Sequence, residues 1–259
     1  MNTFLLTRKE MADLLLSLKG WNTKTPLAIL QEAWIKTHKE DVQNKKSVSA
    51  FLTIALAPIF EKILKITSID TGLSLNEIVA LGNQIENTNF SITALQNWVK
   101  RDIKEMIGSP QKGKKYSIEQ TALLFIVEDL KTALDFESIR KLLKLIVNDP
   151  ANQHDDLINP VRLYAAYSSL FETLNEHGIQ QGTEGVPGNT IQTIELAIEQ
   201  KATELVATFP NLNSEQQEAI RNAIVIATLS VHTAYFQMFA RRYLSATLFL
   251  QNLTSEQST

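Results

Sequence analysis

Helix-capping signals recur at short intervals along this chain and constrain its fold more than any other feature. Thr7 with Glu10, Ser74 with Glu77 and Ser117 with Gln120 each set a hydroxyl three residues ahead of a side chain that can reach back to the cap. Thr25–Pro26 and Asn159–Pro160 place a capping side chain before a proline at the first helical position. Ser47, Ser91 and Asp135 supply further caps. Between them, apolar residues recur at helical spacing. No alternation of useful length argues for strands, apart from a tiny hairpin in the turn-rich stretch Gly108–Tyr116. The expected fold class is all-α (mostly helical).

Three regions are expected. Residues 1–70 form an N-terminal helical segment, with Trp21 and Trp34 as core anchors and Pro58 kinking its third helix. Residues 71–150 form a four-helix unit in which Glu86–Asn89 is a tight turn between two short helices, the helix-turn-helix arrangement. Residues 151–259 carry long helices around a loop that holds Gly178, Gly182, Gly185 and Gly188, with a disordered tail from Thr254. On the last helix, Ile224, Thr228, Val231, Tyr235 and Met238 make an apolar stripe suited to a homodimer, the alternative being ordinary core.

Composition narrows the function. Without cysteine, thiol catalysis, disulfides and cysteine-ligated metals are excluded. The phosphate-cradling, nucleophile-elbow and zinc-helix motifs are missing, and the glycine loop lacks both a preceding strand and a Lys-Ser/Thr pair. Of the four histidines, His38, His154, His177 and His232, His154 with Asp155 and Asp156 reads as a solvated turn rather than a metal site, and His232, with Tyr235 and Phe236 one turn on, reads as a hydrogen-bonded core or interface histidine. No catalytic residue, metal or cofactor is expected. The N-terminus lacks a targeting pattern, and the 19 uncharged residues from Asn222 to Ala240 contain too many polar groups for a comfortable span. The expectation is a cytoplasmic protein with no membrane partner.

Charge is unevenly distributed. From Leu95 to Tyr116, six cations oppose only Asp102 and Glu105, a net charge of +4, while the rest of the chain carries −7 against a total of −3. Segregation of this kind steers a protein onto a phosphate backbone by one face only. Thr93, Gln96 and Asn97 share one helix face, and amides there can pair with adenine edges in a major groove. Lys100, Arg101 and Lys104 extend that ridge toward phosphates. Lys112, Lys114 and Lys115 form a basic wing that Tyr116 anchors, its hydroxyl within reach of a phosphate. Trp98 is expected in the core.

The runs T-A-L-Q-N-W-V-K-R-D-I (93–103), P-Q-K-G-K-K-Y-S (110–117) and F-E-S-I-R-K-L-L (136–143) resemble the MerR-type winged helix, most nearly a bacterial group with a MerR-like domain. The resemblance covers Ser74 to Asn148. It implies that Leu95 is the buried leucine of a recognition helix, and that Gln96 stands where the family has arginine. Asn97 and Trp98 replace its two tyrosines, Lys115–Tyr116 match the arginine-tyrosine of the wing, and Ile139, Leu142 and Leu143 match the closing helix. Gln96 cannot grip a phosphate as arginine does, and the glycine expected near Asp102 is missing, which leaves open how the chain leaves the recognition helix. The function implied is a sequence-specific DNA-binding transcriptional regulator with double-stranded DNA as partner, a homodimer through its C-terminal helices, with room for a small-molecule effector. The alternative is a helical protein-interaction module that keeps the winged-helix shape without DNA binding.

Overall fold

In the computed structural model, which describes residues 5–38, 56–66, 71–147, 156–176 and 190–256, helices account for most of the chain and β-pairing is limited to isolated bridges. The helices are α1 (Arg8–Leu18), α2 (Pro26–Thr37), α3 (Pro58–Leu64), α4 (Leu75–Gly82), α5 (Ile92–Asn97), α6 (Lys104–Ile107), α7 (Ile118–Leu130), α8 (Phe136–Ile146), α9 (Pro160–Glu176), α10 (Thr190–Val206) and α11 (Ser214–Glu256). A π-helical segment, Trp98–Asp102, follows α5 directly. The Ser47 cap, His154, His177 and the glycine loop at 178–188 lie outside the described residues.

The caps act as their spacing predicts. Thr7, Ser74 and Ser117 each form both bonds of a capping box, and Thr25, Ser91 and Asp135 each accept from the backbone three residues on. Three expectations are corrected. Pro58 starts a helix rather than kinking one, because Ala57 is extended and the ring, which lacks an N–H, sits at the first helical position. Trp21 lies largely exposed, with Lys19 and Arg162 over its ring at 5.4 and 5.2 Å, whereas Trp34 is buried as expected. The last helix runs on to Glu256, past the expected start of a disordered tail.

At the centre lies α7, buried along its whole length. Apolar residues alone do not explain this, since Glu119, Gln120, Thr121, Glu128 and Asp129 are buried with the rest. Each is partnered, as buried polar groups must be. Glu119 pairs with Lys19, which caps the C-terminus of α1, Thr121 donates to the Ser117 carbonyl, and Glu128 meets Lys131 at 2.7 Å. Asp129 receives Arg8 through Nε and Nη2 at 3.0 and 2.9 Å and the Tyr167 hydroxyl at 2.7 Å. Around α7 pack α1, α9 and α11, and α9 in turn touches α1, α10 and α11. The buried apolar side chains form one continuous cluster from Leu6 to Val231. Leu6 adds a short extended pairing to it, donating to the Gln84 carbonyl and accepting from Glu86 N–H.

The first half of α11 belongs to this core. Ile224, Thr228 and Val231, three residues of the apolar stripe proposed for a partner chain, are fully buried within the chain, where α11 packs on α7, α9 and α10. The second half projects, with Phe236, Tyr243, Leu244, Leu248 and Phe249 more than half exposed apart from Leu248 at 50%. By length and composition Ser214–Phe249 could cross a membrane.

Candidate nucleic-acid interface

The polar positions of α5 separate cleanly by face. Leu95 and Trp98 are buried, while Thr93 and Gln96 are exposed and Asn97 half-exposed. Trp98 packs obliquely on Phe136 at 6.1 Å between ring centres, and the Lys131 ammonium covers it at 5.2 Å. Its place in the core is as expected.

Beyond Trp98 the helix widens. In an unbroken α-helix Asp102, seven residues after Leu95, would sit in line with it on the buried stripe. The Ile103 N–H instead donates to the Trp98 carbonyl, five residues back, and this extra residue turns Ile103 into the core and Asp102 toward the edge. At φ −135° Ile103 then breaks the helix, and α6 ends at Gly108, whose positive φ of 69° suits glycine. From Ile92 to Ile107 the chain therefore forms three short helical pieces rather than one helix. Arg140 closes the wide turn by donating to the Asp102 carbonyl at 2.5 Å. Lys100, Arg101 and Lys104 emerge from these pieces exposed, and none pairs with a carboxylate among the described residues.

The basic stretch forms the small hairpin anticipated for it. Lys112 and Lys115 exchange backbone hydrogen bonds of 2.9 and 3.1 Å around Gly113, whose φ of 65° provides the left-handed residue of the tight turn. Tyr116 is buried, which pushes its hydroxyl pKa up, and its backbone pairs with Leu73 in both directions at 2.8 Å. This residue is a root for the hairpin. Lys114 stands at the exposed tip, while Lys112 and Lys115 are half-buried on the limbs.

Two residues that sequence reasoning missed complete the surface. Gln120, read only as a capping residue, donates through Nε2 to the carbonyls of Ile107 and Ser109, both at 2.7 Å, and accepts at Oε1 from Gln111 and Ser117 N–H. One buried amide thus ties both limbs of the hairpin loop to α7. Lys62 of α3 lies against Lys115, and burial together with that neighbouring ammonium lowers its pKa, although Glu77 pairs with it from the other side. No local signal could have found Lys62, which is separated from the hairpin by some fifty residues of sequence.

A domain of unknown function, DUF1836, matches residues 61–167, a span that contains Lys62, α4 to α8, the hairpin and Tyr167. No solved structure matches the chain. The uncharacterized protein YkrK of Bacillus subtilis (strain 168) is 40% identical over 242 residues, which cover 93% of this chain and 97% of that protein. With agreement over nearly the full length of both, the chain belongs to the family that includes YkrK.

Proposed function

We propose that the protein is a sequence-specific DNA-binding transcriptional regulator whose reader is a MerR-like winged helix-turn-helix within residues 71–150. One observation carries the reading. Lys100, Arg101, Lys104 and Lys114 are exposed and have no carboxylate partner among the described residues, beside a polar helix face and on a chain that is acidic elsewhere. Thr93, Gln96 and Asn97 then face base edges, Lys100, Arg101 and Lys104 meet the phosphates alongside, and the hairpin with Lys112, Lys114, Lys115 and Lys62 lies over the neighbouring backbone. In this arrangement the π segment performs the turn that MerR-type sequences make with the glycine missing near Asp102.

A reader this small gains affinity by pairing on symmetric half-sites. The partner is a second copy, docked through the projecting half of α11. Phe236, Phe239 and Tyr243 recur there at heptad spacing and remain exposed.

Fluorescence anisotropy on genomic duplex fragments tests the reader. Binding is expected to weaken with salt with a log–log slope of about 3 to 4 per protomer, short of the roughly 5 that six phosphate contacts would give. Lys100→Glu with Arg101→Glu is expected to abolish binding while the helical circular-dichroism spectrum stays unchanged. Unaltered affinity in that variant would reject the proposal, and salt-independent, negligible binding by the parent chain would favour the protein-interaction alternative.

A further inference from the structure

Between the α4–α5 turn, the end of α7 and the projecting half of α11 lies an open cleft of about 550 Å³, within the size range of small-molecule sites. Its charged walls are Glu128 on α7, Lys131 at the C-cap of α7 and Arg241 on α11, and Asn87, Asn89 and Gln237 add amide groups. Ala234 and Met238 supply an apolar floor. Lys131 is matched by Glu128, which leaves Arg241 as surplus positive charge, without a carboxylate partner among the described residues. Asn87, in the turn that rims the cleft, holds a left-handed conformation, φ 61°.

Lys131 also connects this cleft to the reader. Its ammonium lies 2.7 Å from Glu128 on one side and 5.2 Å from the centre of the Trp98 ring on the other. Trp98 directly follows the polar face of α5 and begins the π segment. An anion that draws Lys131 into the cleft takes it away from that ring.

We propose that this cleft binds a small organic anion, a carboxylate or phosphate ester, through Arg241 and Lys131, and that Lys131 and Trp98 transmit its occupancy to α5. The second half rests on the DNA-reading proposal; the first does not. A guanidinium offers bidentate geometry to either anion, and the amides and apolar floor suit an organic body over a bare ion.

Citrate and inorganic phosphate at millimolar concentration serve as probes in thermal unfolding of the full chain, with sodium chloride at matched ionic strength as reference. One of the two is expected to raise Tm by several degrees above chloride, and which one does so separates carboxylate from phosphate recognition. Arg241→Ala, at an exposed position, should keep the parent Tm and lose the rise. No rise with either probe, or an equal rise in Arg241→Ala, overturns the site. For transmission, the effective probe should change DNA affinity by about tenfold, and Lys131→Met should remove that change. A change that persists in Lys131→Met is simple competition for the basic surface and overturns the relay. DNA binding measured without probe reports on the reader alone, so the two proposals fail separately.

Discussion

His232 shows how a single buried side chain can impose a pH dependence on the fold. Its ring packs 4.7 Å from Phe171, its Nε2 is buried without a hydrogen-bond partner among the described residues, and burial lowers its pKa from 6.5. The unfolded chain therefore binds a proton here before the folded chain does. Stability is complete while His232 is neutral in both states and declines as pH falls through the ordinary histidine value. Burial raises the pKa of Glu10, Glu86 and Glu128, which works in the opposite sense at lower pH, near the carboxylate range. In urea titrations between about pH 7 and pH 5, His232→Phe is expected to lose less stability than the parent chain. Equal losses would show that His232 is not responsible. From its apolar surroundings the sequence marks His232 as a hydrogen-bonded core or interface histidine; the ring packs on Phe171 as expected, but its Nε2 finds no partner among the described residues. Gln120 was legible only in part, since its capping role is local while its bonds to Ile107 and Ser109 depend on where the hairpin docks.

Among the elements, α5 and the hairpin differ in how far they could be read ahead. The exposed face of Thr93, Gln96 and Asn97 follows from spacing within two turns of helix, and the structure keeps it. The π turn does not follow, because it arises from competition between Asp102 and Ile103 for one core position, a matter of packing against α7 and α8. The hairpin adds a close approach that local sequence conceals. A Cβ on Gly72 would come within 2.8 Å of both the Lys112 Cβ and the Tyr116 carbonyl oxygen. Gly72 is the point where the hairpin rests on the segment before α4. Gly72→Ala is expected to destabilise the chain by about 1–3 kcal/mol, as overpacking does, read from the urea midpoint at unchanged m-value. Unchanged or increased stability would mean that the hairpin is free to yield.

Across the whole molecule, the ion pair of Arg8 with Asp129 joins α1 to α7 over 121 residues of sequence, and Tyr167 adds α9 to the same carboxylate. Nothing in the sequence marks Arg8 as buried; at the start of a capped helix it resembles an ordinary surface charge. The apolar stripe on α11 posed the converse problem. Core and partner surface share one periodicity, and only packing against α7, α9 and α10 assigns Ile224, Thr228 and Val231 to the core. Arg8→Met should cost about 3–5 kcal/mol in denaturant unfolding, because it strands a buried carboxylate. Adding Asp129→Leu should restore much of that loss, and a double variant no better than the single would place the stabilisation elsewhere.

The length of α11 has a geometric consequence for the proposed pair. At 43 residues it extends about 65 Å, so in a two-fold dimer it acts as a ruler whose register fixes the distance between the two readers. A slip of one heptad along the seam changes the separation of the two readers by about 10 Å, the length of about three base pairs. The spacing of half-sites in the operator would then be encoded in the pairing of Phe236, Phe239 and Tyr243, far from any residue that touches a base.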